Sequence, residues 1–197
     1  MAKFGRCMLF YLKYAAEMER LYEADERKVD GLPNPDRVLK QIKLVGDTAN
    51  REVAEFLGTC VPGIEEHFRA ISDVHRTHIK HMWDLYFNVA PKKATDRQFE
   101  IGVYIDRNQA ALIPWVWCRG GRRAEDEMVR ILGRVIKVRG WASGTVVLAE
   151  IKIPIPERLE EPVECDSLVA RVQQVFASFT ERDIAEIDGI TSNRGEA

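Results

Sequence analysis

Apolar residues recur at helical spacing through the first 90 positions of the chain. Asn34-Pro35 is typical of a helix start, and the apolar stripe that follows predicts a helix ending near Gly58. Pro62-Gly63 opens another predicted helix, which extends to Leu85. Together with a helix at the N-terminus, these segments are expected to pack as an antiparallel three-helix bundle.

The N-terminal apolar positions are separated by four and three residues in alternation, so they form a seam along one helix face. Such a seam is either one wall of an intramolecular bundle or a docking face for a partner helix or a second copy of the chain. The intramolecular interpretation is favoured because the seam spans fewer than three heptads. An exposed seam predicts a homo-oligomer. Its residues are Phe4, Met8, Tyr11, Ala15, Met18 and Tyr22.

The pattern changes across residues 88–97, where Pro, Lys and Thr replace the helical periodicity. The next segment, 99–106, alternates, so its odd-numbered apolar residues share one face of a predicted strand. Glu100, Tyr104 and Asp106 are expected on the other face.

A second predicted strand, 110–118, follows a turn at 107–109. Pro114 cannot donate to a strand ladder, so it places this strand at an edge or at a bulge. The remaining predicted elements are a helix over 122–138, a strand over 144–154 and a last helix that begins at Asp166 or Ser167.

This order predicts an α+β fold. An N-terminal three-helix bundle-like part, residues 1–90, precedes a small ββαβα part with a partly antiparallel sheet, residues 98–190. The two regions are compatible with one continuous domain, and residues 191–197 are expected to fray.

Composition narrows the class of protein. The chain has 197 residues, of which 46% are hydrophobic and 30% charged, as in ordinary globular proteins. A formal net charge of −2 means that any nucleic-acid surface must be local. No apolar run is long enough for a membrane helix, and the four widely spaced cysteines fit free thiols in a reducing compartment. A cytoplasmic location is therefore expected.

Basic residues cluster in the predicted helix over 122–138. Helical geometry places four of them on the side away from its apolar face, where they could track a phosphate backbone or an acidic protein surface. The alternative is a solvated helix face with internal salt bridges. These residues are Arg123, Arg130, Arg134 and Lys137.

Trp115 and Trp117 project from one face of the second predicted strand, directly before the basic helix. Beside a basic surface they are suited to stacking on nucleic-acid bases. The commoner use of such a pair is to cover a helix in the core.

Glu150-Ile151-Lys152 resembles the acid-x-Lys motif of the restriction-endonuclease-like family. The resemblance covers three residues and implies a metal-dependent nuclease, in which Asp106 and Glu150 would hold a divalent ion and Lys152 would orient water. This chain departs from the family pattern because a whole helix separates Asp106 from Glu150.

His75 and His78 lie three residues apart in the apolar stripe of the third predicted helix. On one helix face they could share a metal ion if an acid from another helix completed the site. The alternative is a pair of histidines that form hydrogen bonds at a bundle interface.

The sequence contains no phosphate-binding P-loop, dinucleotide fingerprint or nucleophile elbow. We therefore expect a non-enzymatic protein, without a cofactor, that binds a macromolecular partner, either protein or nucleic acid. The basic stripe and the N-terminal seam are the predicted binding surfaces, and a nuclease is the alternative.

Overall fold

The computed structural model describes residues 3–22, 34–80, 83–91, 99–160 and 162–192. Its helices are α1 (Arg6–Lys13), α2 (Ala15–Tyr22), α3 (Pro35–Ile71), α4 (Gly121–Leu132), α5 (Asp166–Ala177) and α6 (Glu181–Ser192). Its strands are β1 (Lys3–Phe4), β2 (Asp73–Lys80), β3 (Asp84–Ala90), β4 (Phe99–Asp106), β5 (Ala111–Trp117), β6 (Thr145–Val147), β7 (Ile151–Lys152) and β8 (Val163–Glu164).

A six-stranded antiparallel sheet forms the second half of the fold. Its strands run in the order β2-β3-β4-β5-β6, and β7 pairs with β5 beyond the end of β6. The helix-rich N-terminal part followed by this sheet confirms the predicted α+β class. The short strands β1 and β8 pair separately and join the N-terminus to the segment before α5.

The helices pack on one face of the sheet. Alternate residues of β3, β4 and β5 point to this face and join a single buried cluster with side chains from all six helices. Phe68 of α3 shows how the layers meet, because its ring contacts Phe87 of β3 and Phe176 of α5. The resulting fold has two layers, and the opposite face of the sheet lies away from the helical layer.

The predicted second and third helices form the single helix α3, which passes through both Gly58 and Pro62. The prediction of a break there was wrong. Proline costs an intrahelical hydrogen bond, but the buried neighbours Cys60 and Ile64 pack in the core and hold the helix together. Although α3 has 37 residues, no helix among the described residues is apolar enough to cross a membrane.

The predicted extension of the third helix to Leu85 was also wrong. Helix α3 ends at Ile71, and the extended Ser72 donates its hydroxyl to the Phe68 carbonyl at 2.7 Å. Residues 73–80 form β2, in which a bulge between Val74 and Arg76 breaks the period-two pattern. Pairing with β3 decides the structure here, and local periodicity cannot reveal such non-local pairing.

The N-terminal seam is interrupted at Tyr14, which separates α1 from α2. Its residues face the interior of the chain: Met8 is 0% exposed, and Tyr11 is 3% exposed and packs against Trp83 at 5.1 Å between ring centroids. The intramolecular interpretation is confirmed. The homo-oligomer through Phe4, Met8, Tyr11, Met18 and Tyr22 finds no support, because Phe4, Met8, Tyr11 and Met18 are buried inside the monomer. The Tyr22 side chain lies outside the described part.

Strand β5 is not an edge strand, because β4 lies on one side and β6 and β7 lie on the other. Pro114 coincides with the gap between β6 and β7, where Leu148 N–H donates to the Pro114 carbonyl at 2.8 Å. The predicted strand over 144–154 is therefore split at the position where proline offers no donor.

Candidate functional site

The open face of the sheet, opposite the helical layer, carries a group of aromatic and acidic residues. Antiparallel register places Glu100 opposite Trp117, Gly102 opposite Trp115, and Tyr104 opposite Asp84. Directly paired residues share a face, so these side chains converge across β3, β4 and β5. The predicted alternation of β4 is thereby confirmed.

Trp115 lies across Gly102 of the neighbouring strand. A Cβ atom on Gly102 would sit 2.6 Å from Trp115 Cζ2 and 2.5 Å from the Leu85 carbonyl oxygen. Only glycine therefore leaves room for the indole at this position. Tyr86 contacts the same indole, with ring centroids 6.2 Å apart, and Asp84 accepts a hydrogen bond from Trp115 Nε1 at 3.2 Å.

Trp141 reaches the open face from the loop between α4 and β6. Its ring meets Tyr104 edge-on, at 5.7 Å and 88°. The half-buried Glu125 carboxylate of α4 accepts the Gly144 N–H at 2.8 Å, and Cys118 N–H donates to the Gly144 carbonyl at 3.1 Å. These bonds fix the loop against the end of β5, so tertiary contacts position Trp141.

These residues line an open cavity of about 460 Å³, which we term the aromatic hollow. Its volume lies within the range of small-ligand sites. The side chains that define it are Asp84, Glu100, Tyr104, Trp115, Trp117 and Trp141.

The polar groups of the aromatic hollow already have partners within the fold. Trp115 Nε1 donates to Asp84, and Trp117 Nε1 donates to the Ser143 carbonyl at 3.2 Å. Glu100 accepts a hydrogen bond of 3.5 Å from Asn88 Nδ2. The chemistry that the hollow offers to a ligand is therefore that of aromatic ring faces beside two carboxylates.

The basic residues do not form a stripe along one helix. Helix α4 ends at Leu132, and Gly133 adopts a left-handed conformation with φ of 61°, so Arg134 and Lys137 lie beyond the helix. The predicted helix over 122–138 was thus too long. A glycine in this conformation is a common helix terminator, because it has no Cβ to strain.

Three of the four basic residues are paired with carboxylates. Arg130 pairs with Glu127, whose pKa it lowers by hydrogen bonding, and Lys137 pairs with Asp126. Arg134 contacts Asp183 at 3.1 Å and lies over the Phe179 ring at 4.8 Å. Arg123 and Arg130 also line a cavity of about 470 Å³ between α4 and α6, which is distinct from the aromatic hollow. Partner binding by these residues stays a prediction.

Asp106 and Glu150 line a small cavity of about 160 Å³ next to Trp141. Lys152 pairs with Glu150 at 2.5 Å, while Asp106 Oδ1 accepts the N–H groups of Asn108 and Gln109 at 2.9 and 3.0 Å. Within the described ranges, no group of three or more His, Cys, Asp and Glu residues is arranged to hold a metal ion. Within those ranges, Asp106 and Glu150 therefore have no third His, Cys, Asp or Glu residue placed to complete a metal site.

His75 and His78 lie on strand β2, so the premise that they share a helix face was wrong. His75 falls at the bulge, and His78 stands opposite Tyr86 in the register. Their side chains lie outside the described part of the structure, and metal binding by them stays a prediction.

Sequence reasoning identified Trp115 and Trp117 as a candidate pair but missed the residues that complete the hollow. Tyr104 and Glu100 were available as the polar face of β4, and the register of β4 against β5 was the missing link. Comparison of the chain with protein-family models, with curated proteins and with solved structures finds no match.

Proposed function

We propose that this protein is a non-enzymatic binding protein that receives a macromolecular partner on the open face of its sheet. The observation that carries the proposal is the aromatic hollow, in which four rings from two strands and a loop line an open cavity of about 460 Å³. Aromatic side chains at a concave surface are typical anchors for partner residues, since they offer large apolar area with little loss of side-chain entropy.

The residues of the hollow favour binding over catalysis. Among the described side chains that line it there is no His, Cys, Ser or Lys. The Ser–His, Cys–His and lysine arrangements of covalent catalysis are therefore absent from the described lining of the hollow. Thr145 contributes a hydroxyl, but its residue is 6% exposed.

The charge of the hollow favours a cationic partner over nucleic acid. Asp84 and Glu100 stand beside Trp115 and Trp117, the residues that would have to stack on bases. Carboxylates next to a stacking surface repel a phosphate backbone. A basic side chain of a partner protein is attracted by the same carboxylates and by the negative ring faces.

A random peptide library displayed on phage tests the proposal. The library is selected on the wild-type protein, with the Trp117→Ala variant as the counter-selection. Phe10→Ala is the matched control, because Phe10 is an exposed aromatic residue, 40% exposed, on α1.

We expect selected peptides that contain Lys or Arg, bind the wild type and Phe10→Ala equally, and bind Trp117→Ala at least about tenfold more weakly. Peptides that bind all three proteins alike would contradict the proposal. So would the failure of any peptide to be enriched on the wild type.

A metal-dependent nuclease is the second candidate, favoured by the shared cavity of Asp106 and Glu150. It predicts that Mg²⁺ or Mn²⁺ supports cleavage of DNA or RNA and that Asp106→Asn and Lys152→Ala each abolish it. Cleavage that persists in both variants, or no cleavage by the wild type with either metal, rules this candidate out.

A further inference from the structure

A second cavity adjoins the aromatic hollow on the open face of the sheet. It is the cavity of about 160 Å³ that Asp106 and Glu150 line, and we term it the side cavity. Trp141 lines both the side cavity and the aromatic hollow, so the two cavities meet at its side chain. A partner that enters the hollow therefore meets a second recess directly beside it.

The side cavity has an apolar floor. A small apolar cluster, separate from the main core, consists of Ala111, Ile113, Val138, Trp141 and Val147. All of these residues except Ala111 line the side cavity. The cluster lies on the open face of the sheet, because Ile113 pairs with Tyr104 of the aromatic hollow and paired residues share a face.

Ile136 lines the side cavity and is available to a partner. Its side chain is 63% exposed, although two backbone hydrogen bonds with Val147, of 2.9 and 2.8 Å, fix its position. A partner that buries this side chain gains apolar contact, and little backbone entropy is lost because the backbone is already held.

The volume of the side cavity suits one side chain. Sites for whole small ligands measure about 300–1,000 Å³. An apolar cavity of about 150 Å³ can hold a benzene molecule. At about 160 Å³, the side cavity is of the size that takes up one aliphatic or aromatic side chain.

Strand geometry gives the distance between the two cavities. The aromatic hollow spans β4 from Glu100 to Tyr104, so its middle lies near Gly102. The side cavity is lined by Asp106 and by Ile113, the partner of Tyr104, so its middle lies between Tyr104 and Asp106. This separation is about three residues, or roughly 10 Å along the strand. Side chains two to four residues apart in an extended peptide span a distance of about 7–13 Å.

From these observations we infer that the partner binds through two anchors in one extended segment. A basic side chain occupies the aromatic hollow, and an apolar side chain two to four residues away occupies the side cavity. The inference rests on the proposed function and adds the second anchor and its spacing.

The charge of both cavities favours a basic segment over an acidic one. Asp106 and Glu150 line the side cavity, as Asp84 and Glu100 line the aromatic hollow. Lys152 pairs with Glu150 and offsets one of these four charges. An acidic side chain beside the apolar anchor would be repelled, whereas a second basic side chain there would be attracted.

A double-mutant cycle between protein and peptide tests the inference. The peptide is the tightest one from the library selection that depends on Trp117, and each of its residues is replaced by Ala in turn. Ile136→Ser is the side-cavity variant, because it changes an exposed side chain and keeps the backbone hydrogen bonds with Val147. Leu44→Ser is the matched control, because Leu44 is 64% exposed and lies on α3 in the helical layer.

We expect Ile136→Ser to weaken binding of the peptide about tenfold and Leu44→Ser to leave it unchanged. Replacing one apolar peptide residue by Ala should weaken binding to the wild type about tenfold but have almost no further effect on Ile136→Ser, which identifies this residue as the second anchor. The same replacement should keep its full effect in Trp117→Ala, because the two anchors occupy different cavities.

Equal affinity of the peptide for wild type and Ile136→Ser would overturn the inference. So would a coupled peptide residue that lies outside the expected spacing of two to four residues from the basic one.

Failure of the inference can be told apart from failure of the proposed function. If peptides depend on Trp117 but not on Ile136, the aromatic hollow binds its partner without a second anchor, and the inference alone is overturned. If no peptide depends on Trp117, both are overturned.

Discussion

Trp115 packs over the adjacent strand because its neighbour across the strand pair is Gly102. The closest indole atom is 2.6 Å from the point that a Cβ on Gly102 would occupy. A tryptophan beside a glycine on an adjacent strand covers backbone that would otherwise be exposed. In this protein the Trp115 side chain of that pair lines the aromatic hollow.

The substitution Gly102→Ala should therefore displace the Trp115 indole. The new methyl group would also meet the Leu85 carbonyl at 2.5 Å, so we expect a loss of about 1–3 kcal/mol in the free energy of unfolding. Urea unfolding followed by circular dichroism measures this loss.

Gly58→Ala is the matched control for Gly102→Ala. Gly58 lies within α3, and a Cβ there has no neighbour within 4 Å. Alanine in a helix interior should raise the free energy of unfolding by about 0.5–1 kcal/mol. Equal effects of the two substitutions would contradict the tight contact at Gly102.

Glu125 should control the position of Trp141. Its carboxylate accepts the Gly144 N–H at 2.8 Å, so Glu125→Ala would leave that donor without its acceptor and loosen the loop. We expect the near-ultraviolet circular dichroism of the tryptophans to decrease and stability to fall by about 1–2 kcal/mol. Glu125→Gln keeps an acceptor oxygen and should behave like the wild type. An unchanged spectrum in Glu125→Ala would show that the loop is held by other contacts.

The Arg134–Asp183 pair should make stability depend on pH in the acid range. Burial raises the pKa of Asp183, but hydrogen bonds from Thr180 and Arg134 outweigh it and lower this pKa below its usual value of 3.8. A lowered pKa in the folded state contributes stability above the usual value, and that contribution is lost as the pH falls through the folded value.

Asp183→Asn tests this dependence. It should cost about 1 kcal/mol at neutral pH, because asparagine keeps an acceptor for the Thr180 N–H but loses the ion pair with Arg134. Urea unfolding at a series of pH values should show that the difference between wild type and variant shrinks below pH 3.8. If the difference in unfolding free energy between wild type and variant stays constant down to the lowest pH measured, the lowered pKa of Asp183 is contradicted.

The cysteines should differ sharply in reactivity. Burial raises the pKa of Cys60 to about 12 and that of Cys165 to about 11, so both thiols stay protonated near neutral pH. Cys118 is also buried, whereas Cys7 is half-buried. Titration with a disulfide reagent at pH 8 should modify Cys7 first, and Cys7→Ser should remove this early reaction. Rapid modification of Cys60 in the folded protein would contradict the packing of α3.

Local pattern predicted β4, β5 and the segment that holds β6 and β7, but not β2, β3 or the pairing of the strands. Strict alternation identified β4 and placed Glu100 and Tyr104 on one face, as the register confirms. The pattern over residues 73–80 predicts a helix, because the bulge in β2 removes the alternation that marks a strand. Only the pairing with β3, which is a non-local interaction, makes this segment a strand and not a helix.

The candidate site was predicted only in part for the same reason. Trp115 and Trp117 share a face by simple alternation, so the sequence revealed them. Trp141 joins them through hydrogen bonds of Gly144 with Glu125 and Cys118, which no local pattern encodes. The four basic residues do not share one helix face as predicted, because Gly133 ends α4 before Arg134.

The central claim is that a partner binds at the aromatic hollow on the open face of the sheet. The most direct test is a titration of ¹⁵N-labelled protein with the tightest peptide from the library selection, observed through the indole N–H resonances. Trp83 is an internal control, because it is 1% exposed and donates to Asn50 at 2.7 Å within the helical layer. We predict that the resonances of Trp115, Trp117 and Trp141 shift while that of Trp83 does not. If Trp83 shifts and the other three do not, the partner binds elsewhere and the claim is wrong.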